Sequence, residues 1–282
     1  MHERAYTQVM KPFDLDAYVS RSRAVDVSDI PWDDVPHYPL SADARRTLRY
    51  MQDIESHTII YLQELLATRA VDDPEVATFL ACWIYEETFH GRVLARFLRA
   101  AGETIAPRRR SPDSLAQRLQ SIGMALVSKA WPDFVGVHMV WGAINELSTL
   151  IGYKRLGELA GHPVLSELLS RIMRDESRHF MFYFQHAERR LSRPGVARVA
   201  RFLVDRFWAP VGSGVQDARE TEFLAGYLLG GNDGRAAARK IDDTIRRLPG
   251  FADVQLVEAW AERHAPSIPA GASPPDAQRA AA

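Results

Sequence analysis

From Ser41 onward the apolar positions fall at helical intervals. In "ADARRTLRYMQDIESHTIIYLQELLATRA" they are Leu48, Met51, Ile59, Leu62 and Leu66, which predicts a long helix over 41–70 with Ser41 as its N-cap. "VDDP" ends it and supplies Asp73 and Pro74 as cap and first-turn residues of a second helix, which runs to about Ala101 and stops at Gly102. After "APRRRSP" a further helical stretch covers about 112–129. "WPDF" restarts the chain into a third long helix, about 133–160, which "AGHP" breaks. A fourth spans about 163–192 and ends before Pro194. Helical patterning then returns at about 195–208, 218–229 and 234–261. Strand signals are almost absent, so the expected fold class is all-α. Residues 1–40, with the proline-rich "DIPWDDVPHYPLS", read as irregular, and 266–282 as a disordered tail. The expected organisation is one domain over 41–265, with a core bundle at 41–192 and additional C-terminal helices.

Two interruptions of the apolar pattern carry chemistry. "WIYEETFHG" sets Glu86, Glu87 and His90 among Trp83, Ile84, Phe89 and Leu94, and "RDESRHF" repeats the arrangement as Asp175, Glu176 and His179. A charge on a buried face is unfavourable unless it is paired or holds a metal. Glu87 and His90, like Glu176 and His179, are spaced i, i+3 and share a helix face, as ligands converging on one ion must. A ferritin-like di-metal carboxylate bundle uses two such Glu-x-x-His helices plus one lone glutamate from each of two others.

Depth along the helices selects the lone glutamates. Glu87 lies 14 positions past Asp73, and Glu55 lies 17 before Asp72, whereas Glu64 lies only 8 before it. At about 1.5 Å per residue, Glu64 misses the level of Glu87 by roughly 9 Å. Glu176 lies 13 past Pro163 and Glu146 lies 15 before Gly161, while Glu158 is too close to the turn. The expected metal ligands are Glu55, Glu87, His90, Glu146, Glu176 and His179. Glu86 and Asp175 are expected to reach across to the histidine of the opposite helix and orient it. His57, His138, His162 and His186 read as surface or ordinary core groups, and Cys82 as packing. Trp83, Phe89, Phe97, Trp141, Phe180, Phe182, Tyr183 and Phe184 read as core that could also wall a hydrocarbon substrate.

Composition narrows the class. The net charge of −1 gives no basic field of the kind nucleic-acid binders use, and a single cysteine, Cys82, cannot form an intrachain disulfide. The start of the chain lacks a continuous apolar h-region, and no apolar run approaches a membrane span of about 18–20 residues. These features lead to the expectation of a soluble cytoplasmic protein without membrane insertion. Neither "PVGSG" nor "LGGNDG" follows a strand-like run, so neither is a nucleotide loop. Carboxylate and imidazole ligands suit iron or manganese, and iron would permit O₂ activation.

"WIYEETFHGRVLARFLRAAGE" and "DESRHFMFYFQHAERRL" resemble the two ligand helices of the soluble acyl-acyl-carrier-protein desaturases, of bacterial type. "NELSTLIGYKRL" resembles their third helix, with Thr149 three after Glu146, and "DIESHTIIYLQEL" their first, again selecting Glu55. Weaker similarity continues into "RFWAPVGSG" and "TIRRLPGF", so the resemblance spans about residues 41–250. It implies a homodimeric enzyme with two Fe²⁺ ions that uses O₂ and electrons from a ferredoxin-type donor. The implied reaction is desaturation of an acyl chain held as a thioester, on acyl carrier protein. Thr149 would aid oxygen activation or proton delivery. Arg108–Arg110 and Arg45, Arg46 and Arg49 are candidates for docking an acidic carrier. Thr88 and Phe89 depart from the polar-basic pair usual before the histidine in the plant enzymes, while Arg178 is kept. These departures leave a di-iron oxygenase as the alternative, with a ferroxidase-type iron protein or a purely structural bundle behind it.

Overall fold

The computed structural model describes residues 11–105, 127–193, 195–213 and 216–265. The expected helical stretch at 112–129 falls outside them except at its end, where 127–130 are helical, and the expected tail lies wholly outside. Among the described residues the chain is all-α. The helices are α1 (Leu15–Arg21), α2 (Ala42–Leu66), α3 (Pro74–Ala100), α4 (Val135–Ala160), α5 (Pro163–Leu191), α6 (Val196–Phe207), α7 (Ala218–Leu229), α8 (Gly231–Ile245) and α9 (Leu256–His264).

The core is a ferritin-like bundle of α2, α3, α4 and α5. α2 packs chiefly on α3 and α4 on α5, each pair joined by a short connection, as antiparallel neighbours are. The joints follow from local chemistry. Asp73 caps α3 by accepting from the Glu75 and Val76 backbone N–H groups, and Pro74 occupies the first turn. Asp73 also pairs with Arg190 of α5, which ties the start of α3 to the end of α5. His162 caps α5 by accepting from Leu165 N and contacts the Val35 carbonyl oxygen through Nε2 at 3.2 Å, so it is a structural group.

One close approach within each pair draws its two helices together. A Cβ at Gly142 of α4 would run into the Tyr183 ring of α5. At Gly91 of α3 it would lie 2.9 Å from Ser56 Oγ and 3.1 Å from its backbone nitrogen on α2, beside Glu55. α4 meets the length and composition of a membrane-crossing helix, the only one to do so among the described residues. Its most apolar window is 72% buried inside the bundle, so it is the central core helix.

Two expectations need correction. The segment before residue 41 is not irregular throughout: α1 forms under an Asp14 cap, and Trp32–His37 makes a 3₁₀ turn. The expected helix over 234–261 is two helices, because Pro249 lacks the N–H a continuous helix would need. Asp242 then accepts from the Val257 and Glu258 backbone N–H groups, joining α8 to the first turn of α9.

Candidate metal centre

All six glutamates and histidines expected as ligands converge at mid-height in the bundle, one from α2, two from α3, one from α4 and two from α5. Their exposures are between 0% and 7%. They form two overlapping sets, Glu55, Glu87, His90 and Glu176 on one side and Glu87, Glu146, Glu176 and His179 on the other. In each set the ligand atoms lie within 4.8 Å of one another. Glu87 and Glu176 belong to both and sit between the two positions.

The distances show which atoms face inward. His90 Nδ1 is 3.2 Å from Glu176 Oε1, 3.8 Å from Glu87 Oε1 and 3.9 Å from Glu55 Oε2. His179 Nδ1 is 3.1 Å from Glu87 Oε1 and 3.5 Å from both Glu146 Oε2 and Glu176 Oε2. The outward nitrogens are engaged elsewhere. His179 Nε2 is 2.8 Å from Glu86 Oε2, and His90 Nε2 is 3.2 Å from Asp175 Oδ2. An outer acid that takes the Nε2–H leaves Nδ1 with its lone pair toward the carboxylates.

Four carboxylates without counter-ions are too costly to bury. Burial, then the charges of Glu87 and Glu176, push Glu55 well above the usual carboxylate range, and burial with the same neighbours does so for Glu146. Burial opposes ionisation of Glu176 too, but the adjacent imidazoles of His179 and His90 outweigh it and hold the group well below that range. Burial would lower both histidines; the hydrogen bond to Asp175 and the adjacent Glu176 and Glu87 carboxylates raise His90 instead, and the adjacent Glu146, Glu176, Glu86 and Glu87 carboxylates raise His179.

The donor set fits a pair of metal ions. Glu55 Oε2, Glu87 Oε1, both oxygens of Glu176, and the Nδ1 atoms of His90 and His179 are buried without a hydrogen-bond partner, and all point into the cluster. Orphaned atoms of this kind are rare in native interiors, and a bound ion satisfies them together. Oxygen and imidazole donors suit iron or manganese.

Four side chains complete the surroundings: Trp83, which the sequence placed only in the core, Arg178, noted only through the family resemblance, and Tyr18 and Tyr153, to which the sequence assigned nothing. Tyr18 of α1 donates to Glu86 Oε2 at 2.8 Å. Arg178 Nη2 bridges Glu86 Oε1 at 3.0 Å and Asp175 Oδ1 at 2.7 Å, joining the acids behind both histidines. Trp83 and Tyr153 donate to the lone glutamates, Trp83 Nε1 to Glu146 Oε1 at 3.0 Å and the Tyr153 hydroxyl to Glu55 Oε1. Helical spacing signals two of them: Trp83 is four before Glu87 and Tyr153 seven after Glu146. Nothing in the sequence signals Tyr18, which arrives from outside the bundle.

Thr149 lines an apolar cavity of about 100 Å³ together with Glu55 and Tyr153. Its remaining walls come from Met51 and Ile54 and from Trp208, Leu224, Leu228 and Trp260 of the C-terminal part. The aromatic residues expected as substrate walls are elsewhere: Phe97, Phe182, Tyr183 and Phe184 are fully buried core. Of the expected docking arginines, Arg45 and Arg49 pair with Glu103, and Arg46 with Glu220. Arg108–Arg110 fall outside the described residues.

Fold and site together define a ferritin-like helical bundle with a buried carboxylate–histidine centre able to hold a metal pair. Residues 57–206, more than half of the chain, match the model of the family described as fatty acid desaturase, and the chain belongs to that family. No curated protein and no solved structure matches it.

Proposed function

We propose that the protein is an O₂-dependent di-iron desaturase acting on an acyl chain held as a thioester on acyl carrier protein, with electrons from a ferredoxin-type donor. The observation that carries the reading is the apolar cavity that Glu55 helps to line: a greasy chain in it would lie against a residue of the cluster. Glu55, Glu87, His90, Glu146, Glu176 and His179 would hold the two irons, which when bound supply O₂ activation. The balance is that O₂ takes two electrons from the donor, two protons from solvent, and two hydrogens with their electrons from a pair of adjacent C–H bonds, giving two waters and an alkene.

The chain's own residues do the rest. Glu86 and Asp175 orient the two histidines, and Arg178 fixes the two acids relative to each other. Met51, Ile54, Leu224 and Leu228 exclude water from the chain's path, and Thr149 places a hydroxyl on the cavity wall.

The opposite side of the cluster supports the donor. A cleft of about 750 Å³ there is lined by Arg21, Arg23, Arg171, Arg174 and Arg178, with Asp26, Asp29 and Asp175 also among its walls. Arg171 is bound to Asp29 and Glu167, while Arg21, Arg23 and Arg174 have no carboxylate partner among the described residues. An acidic redox protein seated there would stand behind Asp175, which contacts His90. Substrate and electrons would then approach from different faces. A homodimer, as the family resemblance implies, is part of the same proposal.

The test starts with metal. Wild-type protein loaded with ferrous iron under anaerobic conditions is expected to hold about two irons per chain, and Glu87→Ala and Glu176→Ala to lose both. Loaded enzyme given reduced ferredoxin, O₂ and acyl-carrier substrates should then yield an alkene. A folded wild type that takes no iron overturns the reading, and a hydroxylated product would make the protein an oxygenase.

A further inference from the structure

α6 has an outer face that its packing leaves open. Val196, Ala200 and Val204 turn inward and are buried. On the other side Arg198, Val199, Phe202 and Arg206 share one stripe by helical spacing, with Phe202 66% and Val199 42% exposed. The acids beside the stripe are already paired: Arg201 holds both Asp205 and Asp253. Arg198 and Arg206 have no carboxylate partner among the described residues. The face is therefore an apolar centre with two unneutralised positive charges around it. It also leads to the cavity. Trp208 closes α6 by donating its backbone N–H to the Val204 carbonyl oxygen at 2.8 Å, and Trp208, Pro210 and Val211 line the apolar cavity that Glu55 and Thr149 also line. All three are half-buried, so this wall meets solvent beside the end of α6.

We propose that this face of α6 docks the acidic carrier protein that delivers the acyl thioester, with Phe202 as the apolar anchor and Arg198 and Arg206 as the charged rim. Aromatic and arginine side chains are the usual anchors of protein interfaces, and complementary charge steers the partner onto them. Phe202 stands six residues, about 9 Å of helix, before Trp208, so a carrier seated on it stands next to the cavity wall. The arginines expected from the sequence as the landing patch are less suited, because Arg45 and Arg49 are held by Glu103 and Arg46 by Glu220. A second copy of the chain also fits worse: a two-fold contact through this face would set the arginines of one copy against those of the other. The inference rests on the reading of the substrate as carrier-bound.

The test measures binding and needs no iron. The full chain is titrated calorimetrically with acyl carrier protein bearing a long saturated acyl thioester, at low and at physiological salt. Wild type should bind, less tightly as salt rises. Phe202→Ala, and the double variant Arg198→Glu with Arg206→Glu, should each weaken binding about tenfold or more, and the double variant should lose most of the salt dependence. Arg92→Glu with Arg99→Glu, an equal change of charge on exposed positions of α3, should bind as wild type does. In turnover the α6 variants should raise KM for the carrier-bound substrate and leave kcat unchanged. Wild-type affinity in both folded α6 variants overturns the proposal and leaves the carrier reading standing. A folded wild type that binds no carrier overturns the carrier reading and the docking surface together. α6 variants that change only the oligomeric state, read by light scattering, or only binding to anionic phospholipid vesicles, place a different occupant on the face and also overturn the proposal.

Discussion

His138 shows how burial alone sets the chemistry of a side chain. It lies on α4 with both ring nitrogens buried and without a hydrogen-bond partner, packed against Phe134 and Trp141. Burial pushes its pKa down from 6.5 to about 4. A folded pKa below the unfolded one means that the unfolded chain binds the extra proton first. The stability from keeping this ring neutral is therefore complete above about pH 6.5 and is lost as pH falls toward 4. His138→Phe should flatten the fall in melting temperature between pH 7 and pH 5, read from thermal melts of both proteins across that range. An unchanged slope would show that other groups dominate acid destabilisation. By contrast, the six cluster residues were legible in the sequence because each is a charged or ligating group inside an apolar period. His138 was legible only as a histidine, since nothing local tells whether a ring nitrogen finds a partner.

At the scale of the element, the bundle depends on how closely its helices approach. Gly142 admits the Tyr183 ring to the α4 backbone, and Gly91 admits Ser56 to α3 next to Glu55. Gly142→Ala should destabilise the fold by about 1–3 kcal/mol, the usual range for overpacking a filled interior. Urea unfolding of the variant measures this; a neutral result would mean that Tyr183 has room to rotate away. The four long helices could be read from periodicity and from punctuation such as "VDDP" and "AGHP". The break at Pro249 was hidden by helical patterning on both sides. α1 was hidden by its seven-residue length and by the prolines that follow it.

For the whole molecule, the cost of burying four carboxylates and two histidines would make the fold sensitive to any metal ion that the cluster holds. A ligand that binds only the folded state stabilises it by about 2.7 kcal/mol per site at a concentration 100 times its dissociation constant. Adding ferrous iron under anaerobic conditions should therefore raise the melting temperature of the apo protein, and chelation should reverse the rise. Glu87→Ala should show almost no response, because Glu87 belongs to both halves of the cluster. A wild-type melting temperature indifferent to iron would contradict the electrostatic account of the site.

The sequence by itself determined the helical class, the six convergent glutamates and histidines and the two acids behind the histidines. Each of these rests on spacing along one helix or on equal depth from a turn, which are local quantities. Tertiary structure alone decided the rest. Tyr18 reaches Glu86 from a helix 68 residues away, Tyr153 reaches Glu55 across 98 residues, and the cavity beside Glu55 is closed by Trp208 and Trp260 from the far end of the chain. Such contacts are set by where packed helices cross, and no periodicity within a single segment records that.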